Sequence, residues 1–167
     1  MSEATILAVD LGTSGMKVAL ITVSGKVIGW ESEPVRLIIT PDGGAEQSPD
    51  EWWQAFLSAG GRLMKQNQAT ASNVIAVCAS TQGEGTVAVD KDGNALSNAI
   101  LWMDMRGEPY LRRQLNGWIN IDGAGISNVL RFVRLTGGMP SMTGKDPAAH
   151  MLLIRDRLRP KRAERLG

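Results

Sequence analysis

One cysteine, Cys78, and one histidine, His150, are all that the 167 residues hold of either type. A lone cysteine excludes an internal disulfide framework and a cysteine-rich zinc site, and a lone histidine excludes a His-cluster metal centre. The same scarcity argues against a Ser-His-Asp hydrolase. Charge of one sign is lacking too: 18 Lys+Arg stand against 17 Asp+Glu, a net charge of +1. That balance points to neither a nucleic acid nor a membrane surface as partner. No apolar run approaches the ~20 residues that cross a bilayer. Met1-Ser2-Glu3 leads straight into a strand pattern, without the basic region and cleavage site of a secretory signal, so the expected location is the cytoplasm. What is present fits a folded globular domain: 43% hydrophobic and 21% charged residues rule out wholesale disorder. With Gly 19, glycine-bracketed turns are where backbone can approach a ligand closely.

Thr5-Ile6-Leu7-Ala8-Val9-Asp10 is an apolar, β-branched run ending in a carboxylate. Residues 16–23 alternate as a second strand and residues 27–34 read as a third, with tight turns between them, which predicts an antiparallel meander. Residues 35–47, with Pro41-Asp42-Gly43-Gly44, read as a loop. Ser48-Pro49-Asp50-Glu51 is a helix start with a capping residue, a first-turn proline and a capping-box glutamate; the helix runs to about Met64 despite Gly60-Gly61. A buried strand is predicted over 74–80, others over 85–89 and 99–102, and helices over 108–115, 129–135 and 147–158. The order predicts an α/β domain with a mixed sheet and helices packed on it.

Three segments are candidates for chemistry. Asp10-Leu11-Gly12-Thr13-Ser14-Gly15-Met16-Lys17 gathers backbone N–H groups, two hydroxyls and a lysine at one strand–turn–strand junction. Such a concavity suits a phosphate, and Asp10 suits a magnesium ion that keeps most of its waters. It also reads as a plain hairpin. Ser80-Thr81-Gln82-Gly83-Glu84-Gly85 is a polar link between apolar strands, a recognition site or only a turn. Trp102-Met103-Asp104-Met105-Arg106 delivers an acid and a base beyond a buried strand, to bind hydroxyls, to pair with each other, or to cap the next helix.

Taken together with Glu46-Gln47-Ser48-Pro49-Asp50-Glu51-Trp52-Trp53, these segments resemble the N-terminal domain of the FGGY carbohydrate kinases in order and spacing, from about residue 5 to residue 165. The resemblance implies an actin-like, ribonuclease-H-type fold and transfer of the γ-phosphoryl group of ATP, with Mg2+, to a sugar or polyol hydroxyl. It implies Asp10 as the metal- and phosphate-associated carboxylate, with Gly12, Thr13, Ser14 and Lys17 as the phosphate loop. Gln82, Glu84, Trp102, Asp104 and Arg106 match positions near the sugar. Gly83 stands where glycerol kinases carry an arginine, and Gly83-Glu84 where xylulokinases carry Met-His, so neither substrate carries over. Family members are longer, and their catalytic base and adenosine-binding glycines are expected beyond residue 167. Residues 1–167 are thus expected to be one N-terminal domain, inactive alone, with an exposed cleft face that allows a homodimer. An actin-like regulatory ATPase and a degenerate sugar-binding module are the alternatives; Trp102-x-Asp104-x-Arg106 speaks against the first.

Of the remaining residues, the basic C-terminus (Arg155, Arg157, Arg159, Lys161, Arg162, Arg165) reads as a solvated helix face. Cys78 reads as an inert core thiol and His150 as a helix-surface residue without a partner. At least one of Trp52 and Trp53 is expected in the core.

Overall fold

The computed structural model describes residues 3–117, 120–121, 124–139 and 142–158. In chain order the strands β1 (Thr5–Gly12), β2 (Gly15–Thr22) and β3 (Val27–Pro34) are followed by the short β4 (Ile38–Ile39) and β5 (Ala45–Gln47). Helices α1 (Pro49–Gln66) and α2 (Gln68–Ala71) precede β6 (Val74–Thr81) and β7 (Ala99–Ile100). Then come α3 (Glu108–Leu115), β8 (Asn120–Ile121), β9 (Ala124–Gly125), α4 (Ile126–Thr136) and α5 (Pro147–Leu158). The chain forms two compact units, residues 1–38 with 47–83 and residues 39–46 with 84–167.

The first unit contains the predicted meander, extended by a parallel fourth strand in the order β3-β2-β1-β6. A two-residue turn sets the β1–β2 register, so that Gly12 faces Gly15 and Asp10 faces Lys17. Gly15 is required by its neighbour: a Cβ there would lie 2.5 Å from the Glu33 carbonyl oxygen, so β3 can pass only over a glycine. Ser48 caps α1, its hydroxyl accepting the Glu51 N–H at 3.4 Å. The Glu51 carboxylate turns instead to Arg36, at 3.1 Å. The buried stripe Ala55, Ala59 and Leu63 then packs on Leu7, Met16, Val18, Leu20 and Val35. Each fully buried leucine of this core, such as Leu20 and Leu63, contributes about 1.5–3 kcal/mol of transfer energy. Trp52 packs partly buried against the cluster, while Trp53 is exposed and stacks at a tilt on Phe56.

The predicted burial of β6 is corrected. Beyond Val74 its side chains are exposed, with Ile75 at 68% and Val77 at 62%, and Cys78 is an exposed thiol, not a core one. The physical reason is coverage: α1 packs on β2 and β3, and among the described elements β6 has only β1 as a substantial neighbour.

In the second unit the small core is Leu111, Leu115, Ala124 and Ala149, where α3 meets α5 and β9. Helix α4 ends at Gly137, left-handed at φ 76°, whose N–H returns to the Val133 carbonyl at 2.8 Å. Residues 35–47, predicted as loop, hold β4 and β5, which join β7 in a second sheet in the order β4-β5-β7. The strand predicted over 85–89 is absent. Only isolated bridges, Thr86 with Ile100 and Val89 with Ala95, survive there, because the turn at Asp90-Lys91-Asp92-Gly93 brings the segment back on itself at once. The strand predicted over 99–102 stops at Ile100, where residues 101–104 close a turn through the Asp104 N–H on the Leu101 carbonyl. His150 is corrected as well: it is completely buried and bonded on both nitrogens. Arg159, Lys161, Arg162 and Arg165 of the basic C-terminus lie outside the described residues.

Candidate functional site

In the first unit, parallel pairing sets the ends of β1 and β6 side by side, with Asp10 opposite Ser80. Asp10 and Lys17, cross-strand neighbours, form an ion pair at 3.2 Å with both side chains about half exposed. The turn at Thr13 and Ser14 is pinned from behind. Gln47, completely buried, donates from Nε2 to the Thr13 carbonyl at 2.8 Å. Its Oε1 accepts from Gln82 Nε2 at 3.0 Å and from Trp52 Nε1 at 3.1 Å. Gln82 in turn accepts the Thr13 hydroxyl at 2.9 Å. The structure therefore brings Asp10, Gly12, Thr13, Ser14 and Lys17 together, and adds Gln82, which the sequence reading set near the sugar.

The chemistry of this donor set suits a hydrated divalent ion carried on phosphates: one carboxylate at a strand end, a lysine beside it, and a fixed turn of backbone donors. Among the described residues no group of three or more His, Cys, Asp or Glu could hold a metal ion by side chains alone. Glycine at position 12 leaves room for Lys17, for a Cβ there would lie 3.1 Å from the lysine nitrogen.

In the second unit Asp104 is completely buried and fully engaged. Its carboxylate accepts the Ala45 N–H at 2.9 Å, the Arg106 N–H at 2.9 Å and the Arg106 side chain at 2.5–3.1 Å. The Arg106 guanidinium, 7% exposed, also meets Glu46 at 2.5 Å and Asp42 at 3.8 Å. Glu46 is bonded to Asn98 at 3.1 Å and to Arg157 at 3.4 Å. Burial pushes the Asp104 and Glu46 carboxyls up, but the hydrogen bonds and charge of Arg106, with the Ala45 N–H on Asp104 and with Asn98 and Arg157 on Glu46, outweigh it, and both sit below their usual range. Arg106 is correspondingly held charged, its pKa raised by the same partners against burial.

Of the other predicted residues, Trp102 is 42% exposed and Glu84 is exposed. Glu84 sits at φ 59°, the left-handed region in which a non-glycine residue is uncommon. Backbone held there marks an over-determined turn. Asp104 and Arg106 thus pair with each other, one of the alternatives the sequence left open, while Glu84 stands in solvent. Sequence reasoning assigned no role to Gln47, Glu46, Asp42 or His150. Glu46 and Gln47 belong to the Glu46-Gln47-Ser48-Pro49 segment, and on the three-residue strand β5 the period of two turns them to opposite sides.

The sequence model of the FGGY family of carbohydrate kinases, N-terminal domain, matches residues 5–121. The xylulose kinase of Bacillus subtilis is 36% identical over 108 residues, which are 65% of this chain and 22% of that protein. The gluconate kinase of Lactobacillus acidophilus superposes with a TM-score of 0.72 at 23% identity, over 93% of this chain and 29% of its own. The glycerol kinase of Plasmodium falciparum, solved with ADP, gives a TM-score of 0.72 at 19% identity, over 94% of this chain and 29% of its own. The two solved structures carry the fold, the actin-like α/β architecture with a mixed sheet. The chain spans about a fifth of the length of the curated relatives, 22% for the one named here. With the family's N-terminal domain matched through the meander, α1, β6 and the Asp104 turn, this chain belongs to the FGGY family of carbohydrate kinases.

Proposed function

We propose that these residues are the phosphate- and sugar-binding N-terminal domain of an ATP-dependent kinase that phosphorylates a hydroxyl of a sugar or polyol. The observation that carries the reading is the pinned turn: a carboxylate and a lysine face each other at 3.2 Å beside backbone donors fixed by Gln47 and Gln82. Phosphoryl transfer asks the protein mainly for positioning and charge stabilisation. In this reading the backbone of Gly12, Thr13 and Ser14 and the Ser14 hydroxyl face the phosphates, the Thr13 hydroxyl holds the turn through Gln82, Lys17 adds positive charge, and Asp10 holds the hydrated metal. Mg2+, when bound, neutralises charge on the transferring phosphate. Gln82, Glu84, Trp102, Asp104 and Arg106 are assigned to the sugar side. Asp104 and Arg106, locked together, act there as one preset dipolar unit.

With Asp10 assigned to the metal and Glu84 and Asp104 to the sugar, the base that takes the hydroxyl proton is expected from the family's polypeptide beyond these residues. The 167 residues alone are expected not to phosphorylate, to associate as a homodimer where their cleft face is uncovered, and to work in the cytoplasm. No helix among the described residues is long and apolar enough to cross a membrane. The test is Asp10→Ala in the native gene product that carries these residues. Turnover should fall at least a hundredfold with the fold intact, on the scale of a lost electrostatic contact to the transition state. Near-wild-type turnover would refute the assignment.

A further inference from the structure

We propose that His150 is a positioning residue: from α5 it holds the Asp104–Arg106 turn and the Thr86 end of the Glu84 turn in the arrangement a sugar or polyol meets. The inference rests on the proposed sugar-side reading of Glu84, Asp104 and Arg106. His150 is completely buried. Its Nε2 lies 3.3 Å from the Asp104 carbonyl oxygen, which can only accept, so Nε2 carries the proton. Its Nδ1 lies 3.2 Å from the Thr86 hydroxyl, which is then the donor. One imidazole, fixed in one tautomer, links the Thr86 side chain, two residues after Glu84, to the backbone of Asp104.

Helix α5 meets the same turn a second time. A Cβ on Gly107 would lie 2.7 Å from the Ala149 Cβ and 2.8 Å from the Ala149 carbonyl carbon, so the residue after Arg106 rests directly on the α5 backbone. Neither contact engages the Asp104 carboxylate or the Arg106 guanidinium. They fix the chain from which those groups project, the way an outer partner orients a group that binds.

The charged groups facing the imidazole are the carboxylates of Asp104, Asp146 and Glu84, which favour its cation; burial opposes them, prevails, and keeps the ring neutral below its ordinary titration range. Protonation at Nδ1 would force the Thr86 hydroxyl from donor to acceptor and put a charge in a closed site. Acid should therefore loosen both turns together.

His150 is the only imidazole in the 167 residues, so its ring nitrogen resonances are unambiguous. Nitrogen-detected NMR of the 167-residue chain should show the neutral Nε2–H form, with the Thr86 and Arg106 amides shifting together as the ring titrates. Affinity for D-xylulose, glycerol and gluconate as probes is then measured by calorimetry on the native gene product carrying these residues. His150→Ala should weaken binding of the accepted probe about tenfold, the loss of one hydrogen bond. His150→Gln, whose amide can still donate to the Asp104 carbonyl, should recover most of it and lack the acid step seen in the wild type. Unchanged affinity in a folded His150→Ala protein would overturn the proposal and leave the sugar-side reading standing. Binding of no probe would overturn that reading and the proposal with it. If His150→Ala does not fold, the acid step decides, and its persistence in His150→Gln would overturn the proposal.

Discussion

Asp104 gains every hydrogen bond its carboxylate can make without a ligand, from Ala45, from its own turn at Arg106 and from the Arg106 side chain. Breaking a buried pair leaves an uncompensated charge, so Asp104→Asn should cost roughly 3 kcal/mol at neutral pH, read from urea unfolding. The sign with pH follows from the lowered Asp104 and Glu46 values. Their contribution is present above the unfolded carboxylate range and is lost as pH falls through about 4 and below, where the folded-state groups take up protons. Unfolding free energy of the wild type should therefore drop in that window, and Asp104→Asn should show a smaller drop; equal slopes would remove Asp104 from the account. Glu84 makes the opposite case. Its left-handed backbone costs about 1–2 kcal/mol in a non-glycine residue. Glu84→Gly should raise stability by about 0.5–1 kcal/mol after glycine's own entropy is set against that relief. A loss of stability would mean the Glu84 side chain contributes to the fold. The Asp104–Arg106 pairing was legible in the sequence as one of several uses of two charges two residues apart. The buried state of His150 was not, because its partners are a backbone carbonyl and a hydroxyl, which leave no signature in spacing.

At the scale of elements, α1 shows why local signals sufficed for much of the fold. Ser48 and Pro49 start it, its apolar stripe selects one face, and the glycines at 60 and 61 are carried by packing of Ala59 and Leu63. A Cβ at Gly61 meets nothing within 4 Å, so Gly61→Ala should raise the melting temperature, with about 0.5–1 kcal/mol gained. A fall would show that the site is not open space. The meander was equally legible, for alternation and two-residue turns fix the register locally. β6 was legible as a strand but not in its surroundings. Val74-Ile75-Ala76-Val77-Cys78-Ala79 has the unbroken apolar run of a strand covered on both faces, yet α1 packs mainly on β2 and β3 and leaves β6 beyond Val74 exposed. Cys78 should accordingly react with a maleimide in the native chain as fast as a free thiol peptide does, read by mass spectrometry. Protection until unfolding would place a cover on that face. The segment 85–89 is not a strand although the turn at Asp90-Lys91-Asp92-Gly93 is legible beside it, because its pairing is reduced to isolated bridges and pairing partners are set by the whole second unit.

At the scale of the whole molecule, two compact units each carry one half of the proposed chemistry, the phosphate turn in one and the Asp104–Arg106 turn in the other. Family membership was legible because the motifs keep their order and spacing; the sugar was not, because Gly83 and Glu84 match neither of the substrate patterns that the resemblance implies. The central claim is that these residues serve phosphoryl transfer to a sugar or polyol rather than ATP hydrolysis or sugar binding alone. ADP release by the native gene product that carries them, measured with Mg2+ and ATP across pentoses, hexoses and polyols, tests it most directly. The account predicts ADP release that depends on one sugar or polyol, with matching formation of its phosphate ester. ADP release indifferent to every acceptor, or none with any of them, would contradict it.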